Sequence, residues 1–273
     1  MDRNRTSIIA YIILIIGSVI VLFPFIWMVL TSFKDNGEII TKIPPTFFPE
    51  KFYLGGYTMV FTEAPFIRWL ANSLIVSGCV TVSGVFTSAL AGYIYAKFDF
   101  IGKKFTFFLI LATLMIPFEV IMIPEYLIIS KLGMLNSLKA LVLPSLVTAF
   151  GIFLCKQFCE AIPNELLEAG RIDGASEFRI FAKLIIPEIK PALSALTIFT
   201  FMGSWNNYMW PLIVVNDINK MPASLAIDFF NGAHRTQPAT VISASILILI
   251  PILIVYLIFQ KQFIEGLTMT GMK

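Results

Sequence analysis

Six long apolar runs, separated by charged connections, set the pattern of this chain. The first, over 8–31, is apolar at nearly every position. At 1.5 Å per residue it reaches about 35 Å, enough to cross the roughly 30 Å of a bilayer's hydrocarbon. Five further runs lie at about 72–95, 105–128, 140–158, 192–215 and 240–259. Hydrocarbon offers no partner to an open backbone amide or carbonyl, so each run predicts a helix. The expected fold is an all-α polytopic membrane protein with six transmembrane helices in a single domain over 1–273.

The opening MDRNR and its apolar run resemble a secretory signal, but the run is too long and no small-residue cleavage site follows. It predicts a retained first span. Lys and Arg set the direction. With the N-terminus inside, twelve of the 20 basic residues fall on the cytoplasmic side and eight outside. The compact trio Lys97, Lys103 and Lys104 sharpens that bias. Both termini and the connection over 160–191 then face the cytoplasm of a plasma membrane. Outside lie 32–68, where Pro44, Pro45 and Pro49 argue against a helix, and 216–238, which mixes polar and aromatic residues.

Composition agrees with this reading. The chain is 58% hydrophobic and only 14% charged, too little charge to cover a soluble domain of 273 residues. A net charge of +3 gives no reason to expect nucleic acid as a partner. Cys155 and Cys159 are four apart with no His or third Cys beside them, so they and Cys79 read as packing residues and no metal site is expected.

No catalytic set stands out either. The phosphate-binding pattern G-x-x-x-x-G-K-[ST] and the zinc pattern H-E-x-x-H are absent, and the lone His234 lies in an outside loop. The chain reads as a non-enzyme that binds no cofactor itself, which argues against a membrane-embedded hydrolase. Glu119 and Glu125, beside Pro117 and Pro124, are the only acids in or near a span. Either they cap an interrupted helix near the outer surface, or they form an ion relay. The relay would make the chain a stand-alone, ion-coupled secondary transporter.

The fifth run carries polar residues, in FMGSWNNYMWPLIVV. Ser204, Asn206, Asn207 and Tyr208 should face protein or a water-filled path, because lipid would leave their hydrogen bonds unmet. Trp205, Tyr208 and Trp210 add flat faces of the kind that line sugar sites. Helix-to-helix contact and path lining both remain open.

The connection PNELLEAGRIDGASEFRIFAKLIIPEIKP is the most charged segment. Asn164 is a good N-cap and Glu165 suits a helix start. A short helix through ELLEAGR should break at Asp173-Gly174. Ser176 can cap a second helix with Phe178, Phe181 and Ile185 on one face, and Pro187 and Pro191 punctuate the return to the membrane. Two short helices and a sharp turn form a protrusion. A connector lying on the membrane surface would not require that turn.

EAGRIDGASEFRIFAKLIIP resembles the E-A-A loop of permease subunits in binding-protein-dependent ABC importers. Glu168, Ala169, Gly174 and Pro187 match that pattern; Gly170, Leu184 and Ile186 depart from it, and Gly170 should loosen the short helix. FPFIWMVLTSFK, RWLANSLIVS, LMIPFEVIMIPEYLIISKLGMLNS, WNNYMWPLIVV and the ending FIEGLTMTGMK resemble the carbohydrate-uptake branch, in particular subunits similar to the smaller maltose permease. The resemblance implies a cytoplasmic coupling helix between the fourth and fifth spans, with Glu168, Ala169, Gly170, Asp173, Gly174 and Pro187 at the ATPase contact. It implies a second homologous permease, two ATPase subunits that hold ATP and Mg, and an external sugar-binding protein in a bacterial or archaeal membrane. Asn206, Asn207 and Tyr208 are then candidates for the path, and Phe229, Phe230 and Asn231 for the exposed contact with the binding protein.

Overall fold

The computed structural model describes residues 3–233 and 237–270, with side chains over 10–232 and 237–260. His234 and the side chains of the ending FIEGLTMTGMK lie outside the described residues. Helices α1 (Arg3–Thr31), α2 (Asn36–Thr41), α3 (Gly55–Thr62) and α4 (Phe66–Lys97) come first. Then follow α5 (Lys103–Thr113), α6 (Phe118–Lys131), α7 (Leu138–Val142) with a 3-10 turn at Leu143–Ser145, and α8 (Ala149–Glu160). The charged connection forms α9 (Asn164–Ile172), α10 (Glu177–Ile180), a π-helical segment Phe181–Ile185 and α11 (Ile186–Glu188). Helices α12 (Lys190–Trp205), α13 (Met209–Val214), α14 (Ala226–Ala233) and α15 (Pro238–Thr270) complete the order. No strand occurs among the described residues.

Among the described residues, three helices are long and apolar enough to cross a membrane unaided: Ala10–Thr31, Phe66–Lys97 and Pro238–Gln260. The other three expected spans are each broken. Over 105–128 the chain turns by 100° between α5 and α6, because Pro117 is extended (φ −61°, ψ 143°) and α6 starts afresh behind it. Over 140–158 a 40° bend separates Leu138–Ser145 from Ala149–Glu160, where the Thr148 side chain caps α8 by accepting from Gly151 N at 3.4 Å. Over 192–215 the helix stops at Trp205 and resumes at Met209, so the polar residues 206–208 occupy a gap. A 79° bend sets Glu177–Glu188 apart from Lys190–Val214.

The chain forms two compact units, one of Met1–Ile67 with Ala226–Ile250, the other of Arg68–Leu225 with Pro251–Lys273. In the first, the apolar side chains of α1 are exposed all round, which suits hydrocarbon and not water. Its 32–54 connection is folded around two buried charges. Glu38 accepts from Thr46 Oγ1 at 2.6 Å and Glu50 N at 3.2 Å. Lys34 donates to the Thr46 carbonyl and lies 5.1 Å over the Trp27 ring.

In the second unit, α4 and α8 approach closely. A methyl at Gly92 would stand 2.5 Å from Cys155 Cβ, and one at Gly151 2.2 Å from Ser88 Oγ, so both positions need glycine. Cys155 and Cys159 are fully buried at this contact. A core of Ala89, Tyr93, Cys159, Ile162, Leu167, Ile180, Phe181, Ile185 and Ile189 joins α4 and α8 to the α9–α11 connection.

Candidate functional site

The α9–α11 connection is a rigid protrusion. The N-cap of α9 is Pro163 and not Asn164 as expected; the Asn164 side chain instead accepts from Lys97 Nζ at 2.9 Å. Lys97 also donates to the Ile162 carbonyl, so α4 holds the entry to α9. The turn ends α9 in a Schellman motif. Ala175 N donates to Gly170 O and Gly174 N to Arg171 O, both at 3.0 Å. Asp173 is the C-cap, and Gly174 has φ +75°, a left-handed conformation that explains its glycine. The Ser176 side chain accepts from Arg179 N and starts α10, as its sequence position predicts.

Across this turn Arg171 Nε donates to Glu177 Oε1 at 2.7 Å, and the Tyr93 hydroxyl donates to Glu177 Oε2 at 2.9 Å. The Arg171 hydrogen bond holds the Glu177 carboxyl below the usual carboxylate range, and the same bond raises the Arg171 guanidinium. Glu168 and Ala169 are exposed on α9. Gly170 is a point of close packing between α9 and the helix that follows. A methyl there would lie 3.1 Å from Leu184 Cδ1 and 3.4 Å from Ile180 Cγ1, so its absence lets α9 settle on the second helix.

Phe178 lines one groove together with Phe181, Tyr93 and Phe98, but at its open edge. It is 71% exposed, while Ile180, Phe181 and Ile185 are buried. A π turn follows, in which Ile186 N reaches back to Phe181 O, five residues away. Pro187, exposed, sits inside the continuing helical run.

The second arrangement lies at the gap between α12 and α13. Pro211 has no N–H to offer the Asn207 carbonyl four residues back, and the Ser224 hydroxyl supplies that bond at 2.7 Å. Asn207 Oδ1 accepts from Trp210 N at 3.4 Å. An open cleft of about 570 Å³ runs beside the gap, its polar lining being Ser145, Thr148, Thr200, Ser204 and Asn207. Of the three path candidates, Asn207 alone lines it; Asn206 and Tyr208 are exposed elsewhere. Ser145, Thr148 and Thr200 were missed by sequence reasoning; single hydroxyls within apolar runs were their only signal. Trp205 and Trp210 do not offer faces to a ligand. Both are buried, Trp205 stacked on Phe201 at 5.5 Å and Trp210 donating through Nε1 to Ala140 O at 2.9 Å.

Residues 216–223 are tied down by side chains of α4 and Asn136. Asn136 Oδ1 accepts from Asn216 N and Asp217 N, each at 2.8 Å. Arg68 donates to Asn219 Oδ1, Trp69 Nε1 to Ile218 O, and Asn72 Nδ2 to Asn219 O and Met221 O. Ser73 Oγ accepts from Ala223 N at 2.8 Å. The RWLANS motif is thus a row of fasteners. On α14, Asn231 is exposed and Phe229 half-buried, but Phe230 is fully buried and offers no outward contact. The exposed positions of this helix are Ile227, Asp228, Asn231 and Gly232, so Phe230 falls on its inward side.

Glu119 stands in the first turn of α6, where a carboxylate favours the helix start. No group of three His, Cys, Asp or Glu side chains that could hold a metal ion stands together among the described residues.

An all-helical fold among the described residues, with membrane-length apolar helices and a braced polar protrusion, defines an integral membrane protein. The family described as "Binding-protein-dependent transport system inner membrane component" matches residues 84–268, and the chain belongs to it. It is 35% identical to the arabinooligosaccharides transport system permease protein AraQ of Halalkalibacterium halodurans, over 99% of each chain. It is 34% identical to the sn-glycerol-3-phosphate permease UgpE of Pectobacterium atrosepticum, over 97% of each. With the lactose permease LacG of Rhizobium radiobacter it shares 32%, over 98% of this chain and 97% of that one. The crystal structure of a bacterial ABC transporter that imports the acidic polysaccharide alginate contains a chain of the same fold. Its TM-score is 0.81 at 25% identity, covering 96% of this chain and 99% of that one.

Proposed function

We propose that this chain is one permease subunit of an ATP-driven importer of uncharged carbohydrate. It pairs with a second homologous permease, two ATPase subunits that carry ATP and Mg, and an external sugar-binding protein. Family membership supports this arrangement; of the relatives' printed cargoes, arabinooligosaccharides and lactose are uncharged sugars and support this choice, whereas sn-glycerol-3-phosphate carries charge. A related alginate transporter is described in complex with a pentasaccharide-bound periplasmic protein. In this reading the three broken pairs each count as one span, making six in a single domain, with both termini and the α9–α11 protrusion in the cytoplasm.

The protrusion is the coupling helix. The observation that carries it is the braced turn: Glu168 and Ala169 are presented on a helix that a Schellman motif, an ion pair and a buried core all hold. A separate ATPase can move the membrane part only through such a stiff contact. The cleft beside α12–α13 serves as this chain's wall of the path. Hydroxyl and amide groups line it and no charged side chain does, which favours sugars over sugar phosphates.

Reconstitution with the partner permease, ATPase and binding protein tests this. Sugar accumulation should require ATP, and a neutral oligosaccharide should outcompete a phosphorylated one. Uptake by this chain alone, driven by an ion gradient without ATP, would instead assign Glu119 or Glu125 an ion-coupling role.

A further inference from the structure

Behind the cleft lies a small chamber that the transport reading does not use. It is lined by Ser73 and Ser77 of α4, Leu141 of α7, Ser145, and Ser204, Asn207 and Trp210 around the α12–α13 gap, among others. Its volume is about 10 Å³, and one ordered water needs roughly 10–15 Å³ counted the same way. Ser77 is fully buried, and its Oγ has no hydrogen-bond partner within the protein. An orphaned buried hydroxyl is costly, and native proteins pair such groups with protein or with ordered water.

The neighbouring polar groups have capacity to spare. Asn207 uses Oδ1 on Trp210 N, which leaves its two amide protons as donors. Ser73 Oγ accepts from Ala223 N and keeps its own proton to donate. Ser73 and Ser77 of α4 and Asn207 of the α12–α13 gap all line this one small space.

We propose that this chamber is a binding site for a single ordered water, which satisfies Ser77 and bridges α4 to the gap between α12 and α13 through Asn207. The water accepts from the Asn207 amide or the Ser73 hydroxyl and donates to Ser77 Oγ. It replaces within the gap part of the hydrogen bonding that the interrupted helix gives up.

A map of the assembled transporter, at a resolution that shows ordered water, tests this. A peak within hydrogen-bonding distance of both Ser77 Oγ and Asn207 is expected. It should persist in Ser77→Thr and vanish in Ser77→Val, which keeps the bulk and removes the hydroxyl. An empty chamber in the wild type, with Ser77 bonded directly to a protein group, would overturn the proposal. So would a peak unchanged in Ser77→Val. If Ser77→Val fails to assemble, the wild-type map alone decides.

Discussion

Glu177 accepts a hydrogen bond from the Tyr93 hydroxyl at 2.9 Å, so the turn after α9 hangs on a helix 84 positions upstream. The same carboxylate holds Arg171 on the near side of the turn. Breaking the upstream link by Tyr93→Phe should cost about 0.5–1.5 kcal/mol of local stability. The ratio of sugar moved to ATP hydrolysed in proteoliposomes should fall while assembly is retained. An unchanged ratio would reduce the link to packing.

This carboxylate also sets a pH dependence. Its folded pKa is depressed, chiefly by the Arg171 hydrogen bond. The stability it contributes is therefore complete above the ordinary Glu value of about 4.3 and is lost as pH falls through the depressed one. The melting-temperature gap between wild type and Glu177→Gln should stay constant from neutral pH to about 5 and close below it.

Glu168 and Gly174 should both matter to coupling, for different reasons. Glu168→Ala removes an exposed carboxylate able to pair with an ATPase cation, a contact worth about 1.5–3 kcal/mol once partly desolvated. The ATPase should detach more readily on purification. Gly174→Val forces a branched side chain to φ +75°, at a cost of about 1–2 kcal/mol or more. Space is not the issue, since nothing lies within 4 Å of the added Cβ. Gly174→Asn, which tolerates that conformation, should be milder in the same transport assay.

Asn207→Leu should impair uptake more than Asn206→Leu, with both variants assembling. Only Asn207 lines the cleft and bonds to α13. Equal effects in initial-rate uptake would return both residues to helix packing.

The α14 pair Phe230 and Asn231 should separate structure from contact. Phe230 is fully buried, so Phe230→Ala should destabilise the chain by about 3–5 kcal/mol and lower its yield. Asn231→Ala should leave yield intact but weaken stimulation of ATP hydrolysis by the binding protein. Cross-linking from Ile227 or Asp228 should catch that protein.

Apolar runs were legible because length in hydrocarbon leaves only helices. The Asp173-Gly174 turn was legible because its backbone chemistry is local. The interruption at Pro117 was legible from the proline and Glu119 beside it, but its 100° turn was not, because how far the chain turns depends on what it packs against; the gap at 206–208 was not read. Phe230 was misplaced because α14 was taken for an open loop. The fastening of Asn219 by Arg68 spans 151 positions and leaves no signal in one sequence.

Helix α4 runs unbroken for 32 residues, about 48 Å, which is longer than the hydrocarbon is thick. Its first turns carry the strap at 216–223, and its last carry the Tyr93 and Lys97 links to the α9–α11 protrusion. It therefore works as a strut. A tilt imposed at one end is the same tilt at the other, so whatever leans on the strap and whatever grips the protrusion share one degree of freedom. If binding at one end tilts the strut, linkage requires that binding at the other change by the same factor.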